Sequence, residues 1–143
     1  MNPEAGALHL ALALDLPALS AAQRQLGDFL AAGGCPPEVC FRVELVVEEA
    51  MMNVIRHAEP NGATQAALDA RCAGGRALVA MEDDGPAFDP LQAAPRPIAG
   101  ALAGAHDGGF GLHLIRGNTD AARYARTQAG TNRLEMEFAP RSC

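Results

Sequence analysis

The stretch Val46-Val47-Glu48-Glu49-Ala50-Met51-Met52-Asn53-Val54-Ile55-Arg56-His57 decides how the rest of this chain is read. It forms the later part of a helix that starts at Pro36-Pro37 and runs to about Ala58. At about 100° per residue, Val39, Val43, Val46, Val47, Ala50 and Val54 fall into one apolar stripe. Glu49, Asn53 and His57 align along one flank of that stripe, and Glu48 falls on the other. Glu49 and Asn53 therefore stack one turn apart on a single face.

Working outward, residues 7–14 read as a strand, with a helix as the alternative for so Ala- and Leu-rich a run. Asp15-Leu16-Pro17 opens a helix to about Ala32, closed by Gly33-Gly34. Glu59-Pro60-Asn61-Gly62 is a turn signal. Strands over about 64–72 and 77–83 flank Ala73-Gly74-Gly75 as a hairpin. From Gly85 to Gly109 the chain is rich in Pro, Gly and Ala with no sustained periodicity, as in a functional lid or a disordered segment. Phe110 to about Thr119 reads as a short helix, and strands over about 121–128 and 132–139 flank Ala129-Gly130. Hairpin-connected strands predominate, which gives an α+β fold with helices on one face of a mainly antiparallel sheet.

Composition bounds the possibilities. The 143 residues suit one domain, and 49% hydrophobic residues can fill its core with Ala, Leu, Val, Met and a few Phe, since there is no Trp and one Tyr. A net charge of −6 argues against a nucleic-acid surface, which needs clustered basic residues. No basic segment precedes the short apolar run near the start, and no stretch is long enough to span a bilayer, so a cytoplasmic protein is expected. Cys35, Cys40, Cys72 and Cys143 lack the paired spacing of a zinc or redox motif and are expected to be ordinary reduced thiols.

Three places can carry chemistry. Glu49 could serve as a general base, and the Asn53 carbonyl is a hard oxygen ligand of the kind magnesium accepts beside phosphate and water. On its own that pair is better explained as a solvated flank. In Glu82-Asp83-Asp84-Gly85-Pro86-Ala87-Phe88, Asp83 sits where the strand leaves the core. Its carboxylate suits an exocyclic adenine amine, and an acidic strand-end turn explains it equally well. Gly108-Gly109-Phe110-Gly111-Leu112 precedes a helix, whose amides and N-terminal partial charge suit phosphates. A flexible hinge is the competing reading.

Taken together and in order, E-x-x-x-N, D-x-G-x-x-F and G-x-G-L resemble the GHKL ATPase superfamily, most closely its small bacterial anti-sigma-factor serine/threonine-protein kinases. The matching segments are 49–57, 83–90 and 108–115, with Gly130-Thr131-Asn132-Arg133-Leu134 resembling the closing strand motif. The resemblance implies a Bergerat-type ATP-binding fold, a two-layer sandwich of about three helices on a mainly antiparallel, mixed sheet. It spans 1–143 as a single domain, with an ATP lid at about 86–109. It also implies Glu49 as catalytic base and Asn53 as Mg2+ ligand. Asp83, Gly85 and Thr131 would hold adenine, and Gly109, Gly111 and Leu112 the phosphates. ATP would then phosphorylate a serine on a STAS-domain anti-anti-sigma partner, while the same protein, usually a homodimer, sequesters a sigma factor. A non-catalytic, nucleotide-regulated partner-switching module is the alternative. Ala87 departs from the family where many members carry a second glycine. The cation facing the γ-phosphate is left open between Arg96, Arg116 and a residue of a partner chain.

Overall fold

In a computed structural model of the protein, residues 7–92 and 109–141 are described, with the helical residues 109–113 described by their backbone alone. The chain runs β1 (Ala7–Ala13), α1 (Leu16–Ala32), α2 (Pro37–Asn53), β2 (Gln65–Ala73), β3 (Arg76–Asp83), α3 (Gly109–Asn118), β4 (Ala121–Arg126) and β5 (Asn132–Phe138). The first strand is thus a strand, not the alternative helix, because its residues alternate between the helix-covered and open faces of the sheet.

The helix starts follow local chemistry. Asp15 caps α1 by accepting from the Ala18 amide at 2.8 Å, and Pro17 occupies the first turn, where no amide donor is needed. α2 starts at Pro37 for the same reason. Gly74 and Gly75 both take positive φ (60° and 78°), the backbone twist that a tight two-residue hairpin between β2 and β3 requires.

The sheet order is β1-β2-β3-β5-β4, and every pairing among the described strands is antiparallel. The mixed character expected from the sequence is present only in direction. β3 and β4 run parallel, joined across α3, but β5 lies between them and pairs with both. Between β1 and β2 the chain reverses three times, into α1, into α2 and into β2, so these neighbours are antiparallel as well.

The core fills the gap between the helices and one sheet face. Val39, Val43, Val46 and Val47 of α2 are fully buried against Leu26 and Leu30 of α1 and against Leu68, Val79, Met136 and Phe138 of the sheet. The apolar stripe of α2 is as expected from Val39 to Ala50, but Val54 lies beyond the helix end and is only half-buried. Two buried residues fall outside the stripe: Met51, fully buried, and Arg42, which is 5% exposed on the flank it shares with Glu49 and Asn53. Arg42 forks onto Glu38, donates to the carbonyls of Asn118 (2.8 Å) and Ala139, and faces the Phe138 ring. It ties the start of α2 to the end of α3 and the end of β5.

The thiols differ from expectation. Cys35 and Cys72 are joined as a disulfide across 37 residues of sequence, while Cys40 is free. Motif spacing could not show this, because the partners come from a helix connection and a distant strand. Among the described residues no helix is long and apolar enough to cross a membrane.

Candidate functional site

α2 does not end cleanly at Asn53. The helix continues as a π-turn over Val54–Ala58, then a 3-10 turn over Glu59–Asn61. A π-turn widens the helix by one residue per turn and recurs at functional sites. Just before it, Glu49 Oε2 and Asn53 Oδ1 are both buried without a hydrogen-bond partner. Buried polar atoms are rarely left so, since each forfeits its hydration. Two orphaned oxygens one helical turn apart are therefore the main electrostatic anomaly of the described residues. Burial pushes the Glu49 carboxyl above its usual range. Arg56, at 3.9 Å from Oε2, pulls it back, Glu48 adds to the rise, and His57 opposes it.

Asp83 closes β3 beside this helix end. Its Oδ1 accepts from the Gly85 amide at 2.9 Å and from Asn132 Nδ2 at 3.0 Å, so both bonds fall on one oxygen. Gly85 is buried so tightly that a Cβ there would lie 2.7 Å from Ala58 Cβ and 3.0 Å from Asp83 Oδ1. Its lack of a side chain lets the acidic turn seat directly on the π-turn. The His57 and Phe88 rings face each other at 6.2 Å, on the same junction. Asp84 turns away, accepting from the Thr64 and Gln65 amides and the Thr64 hydroxyl, which holds its carboxyl below the usual range. It anchors the loop into β2 and is not simply solvated.

Thr131 does not reach Asp83. Its hydroxyl meets that of Thr127 at 2.6 Å, bracing the β4–β5 turn. Its neighbour Asn132 makes the link instead, and it is 6% exposed. Asn132 Nδ2 donates to Asp83 and to the Pro86 carbonyl, and Oδ1 accepts from the Phe88 amide, the Tyr124 hydroxyl and Arg126. Arg126 also donates to the Gly85 carbonyl at 2.8 Å. The sequence held a signal for this hub. Asn132 shares the inward phase of Leu134, Met136 and Phe138 on β5, and a polar residue in that phase must find partners.

The first turn of α3 contains Gly109, Gly111 and Leu112. Arg42 binds the far end of this helix at Asn118, and β4 begins opposite Glu137, at the end of the sheet away from Asp83. The N-terminus of α3 therefore points to the Asp83 end, and α3 packs along α2. Its ten residues span about 15 Å, enough to run from the level of Arg42 to that of Asn53. Arg116 donates to the Leu91 carbonyl and so holds the segment that follows the acidic turn. Arg96 and most of the expected lid lie outside the described residues. The sequence reading also missed Arg56, the cation nearest to Glu49 among those with a recorded ion pair.

The helix end and the acidic turn thus meet at the end of the molecule toward which the N-terminus of α3 points, with two acceptor oxygens unsatisfied. Hard oxygen donors of this kind fit a magnesium ion that takes most of its ligands from phosphate and water. Among the described residues no cluster of three or more His, Cys, Asp or Glu offers a metal cage of its own.

Comparison with known proteins agrees with this geometry. A serine/threonine-protein kinase, BtrW of Bordetella bronchiseptica, is 35% identical over 97 residues, which cover 67% of this chain and 68% of that protein. The fold is similar to a solved structure of the RsbU and RsbW domains of a Mycobacterium tuberculosis protein. There the TM-score is 0.63 at 17% identity, covering 93% of this chain and 32% of that one. Residues 12–138 match the model of the histidine kinase-like ATPase domain, and the chain belongs to that family.

Proposed function

We propose that this single-domain chain is an ATP-dependent serine/threonine-protein kinase and anti-sigma regulatory factor. Its substrate is a serine on a STAS-domain anti-anti-sigma partner, and it sequesters a sigma factor until that partner displaces it. The observation that carries the reading is the pair of orphaned buried oxygens, Glu49 Oε2 and Asn53 Oδ1, at the end of α2. The kinase name of the 35%-identical relative supports it. A cytoplasmic homodimer belongs to the same reading.

Bound ATP with Mg2+ supplies the phosphoryl group and neutralises its charge. Asp83 accepts the adenine amine on Oδ2, while Asn132 and the Gly85 amide hold Oδ1 and fix the carboxylate plane. Thr131 braces the turn from which Asn132 extends. Asn53 Oδ1 ligates the metal. Backbone amides at Gly109, Gly111 and Leu112 orient the phosphates at the start of α3, beneath a lid at about 86–109. Glu49 Oε2 takes the proton of the partner's serine hydroxyl as that oxygen becomes the nucleophile. Its partly buried setting raises the carboxyl above its usual range, which strengthens it as a proton acceptor.

Incubation with γ-labelled ATP, Mg2+ and the cognate STAS partner tests this. Label should pass to the partner, and Glu49→Ala should lower transfer by about 10²- to 10⁴-fold with ATP binding kept. The Arg56 guanidinium, 3.9 Å from Glu49 Oε2, favours a second reading, because a nearby cation stabilises the carboxylate and weakens it as a base. In that reading the chain is a nucleotide-regulated switch without catalysis. Partner affinity would then respond to ATP, no label would move, and Glu49→Ala would leave the response intact.

A further inference from the structure

The Cys35–Cys72 disulfide lies at the end of the molecule away from the nucleotide site. Cys35 is in the α1–α2 connection, immediately before Pro36 and the start of α2. Cys72 pairs with Ala77 near the β2–β3 hairpin, whereas Asp83 pairs with Ala66 at the other end of the same two strands. Six residues of strand separate Ala66 from Cys72, or about 20 Å. The position is shaped for the bridge. The Cα atoms are 6.8 Å apart, within the span a disulfide covers. A Cβ at Gly33 would sit 3.0 Å from Cys72 Sγ, so glycine there leaves room for the sulfur. Cys35 is buried, Cys72 is half-buried, and Cys40 lies one turn into α2 with its sulfur 3.6 Å from the Cys35 carbonyl.

We propose that Cys35 and Cys72 form a reversible oxidation site, whose co-substrate is a low-molecular-weight disulfide such as glutathione disulfide. The reaction joins two thiols and returns two equivalents of the small thiol. The more accessible Cys72 thiolate attacks one sulfur of the small disulfide, forming a mixed disulfide and expelling one small thiolate. The Cys35 thiolate then attacks the Cys72 sulfur and expels the second. Two electrons pass from the protein to the small disulfide, and the two protein thiol protons end on the released thiols. Cys40 stands aside, because burial and the neighbouring Glu44 push its thiol above the usual range and leave little thiolate. The bond fixes the start of α2 to β2, and α2 carries Glu49 and Asn53 about 18 and about 24 Å further along its length. The device therefore acts on the stability of the fold at a distance from the site.

The experiment equilibrates the full chain across ratios of glutathione to glutathione disulfide, blocks free thiols by alkylation, and maps tryptic peptides without reduction. Cleavage after Arg24, Arg42, Arg71 and Arg76 yields peptides 25–42 and 72–76. Under oxidising ratios they should appear as one linked species, with fragmentation placing the bond on Cys35 and the alkyl group on Cys40. A hundredfold excess of glutathione should return both to the alkylated form. Oxidation should raise Tm by on the order of 10 °C, as closing a loop of this length predicts, and Cys72→Ser should show no redox-dependent Tm while Cys40→Ser keeps it. Alkylation of Cys35 and Cys72 at every ratio would overturn the site, as would a bond placed on Cys40. A link that survives excess glutathione would overturn its reversibility. None of these readouts depends on kinase activity.

Discussion

Glu49 is a carboxylate that the fold holds against its preference for water. Its raised pKa means that the folded state keeps a proton the unfolded chain has already released. As pH climbs from the ordinary glutamate value through that raised value, folding stability therefore falls, and the deficit stays in place above it. Glu49→Gln cannot ionise and should remove this slope. Urea midpoints measured without nucleotide or metal should coincide for the two proteins below the ordinary glutamate value. They should separate in favour of Gln as pH rises through the window. The same variant should lose phosphotransfer by at least about a hundredfold, so a gain in stability and a loss of activity arise from one atom exchange. Asn132 shows what residue types alone concealed. It was visible in the sequence as part of a strand motif, but its six hydrogen-bond contacts with Asp83, Gly85, Pro86, Phe88, Tyr124 and Arg126 come from two other segments, the acidic turn and β4.

At the scale of elements, punctuation by Pro and Gly marked most boundaries to within a residue or two, because these residues act through their own backbone. Asp15-Leu16-Pro17, Gly33-Gly34 and Gly74-Gly75 all begin or end elements where their chemistry demands. The π-turn at Val54–Ala58 had no such marker, and its last residue, Ala58, packs on the Gly85 turn. The buried Arg42 escaped helical phase for a similar reason. Phase puts it on the flank shared by Glu49 and Asn53, and only its partners on α3 and after β5 explain why a guanidinium is buried there. The contact between Gly85 and Ala58 makes a direct prediction. Gly85→Ala must displace one of the two elements, at a cost of about 1–3 kcal/mol. ATP affinity should fall by about tenfold or more with far-UV circular dichroism unchanged, as calorimetric titration would read.

For the whole molecule, Arg42 is the fastener between the helical layer and the sheet. Arg42→Ala would leave the Asn118 and Ala139 carbonyls and the Glu38 carboxylate short of their donor in a buried setting. A loss of about 3–5 kcal/mol is expected, read as a lower denaturant midpoint at unchanged m-value. The placement of β5 has a further consequence, one of timing. The last of the described strands in sequence, β5, occupies an interior lane of the sheet, between two strands synthesised before it. A nascent chain that has emerged as far as β4 holds β3 with one edge bare. It also lacks the amide that clasps Asp83. Sheet closure and the clasp on Asp83 are therefore coupled to the same late event. Such long-range pairing slows folding, and it leaves the exposed edge of β3 as the surface a chaperone must shield until synthesis reaches Phe138.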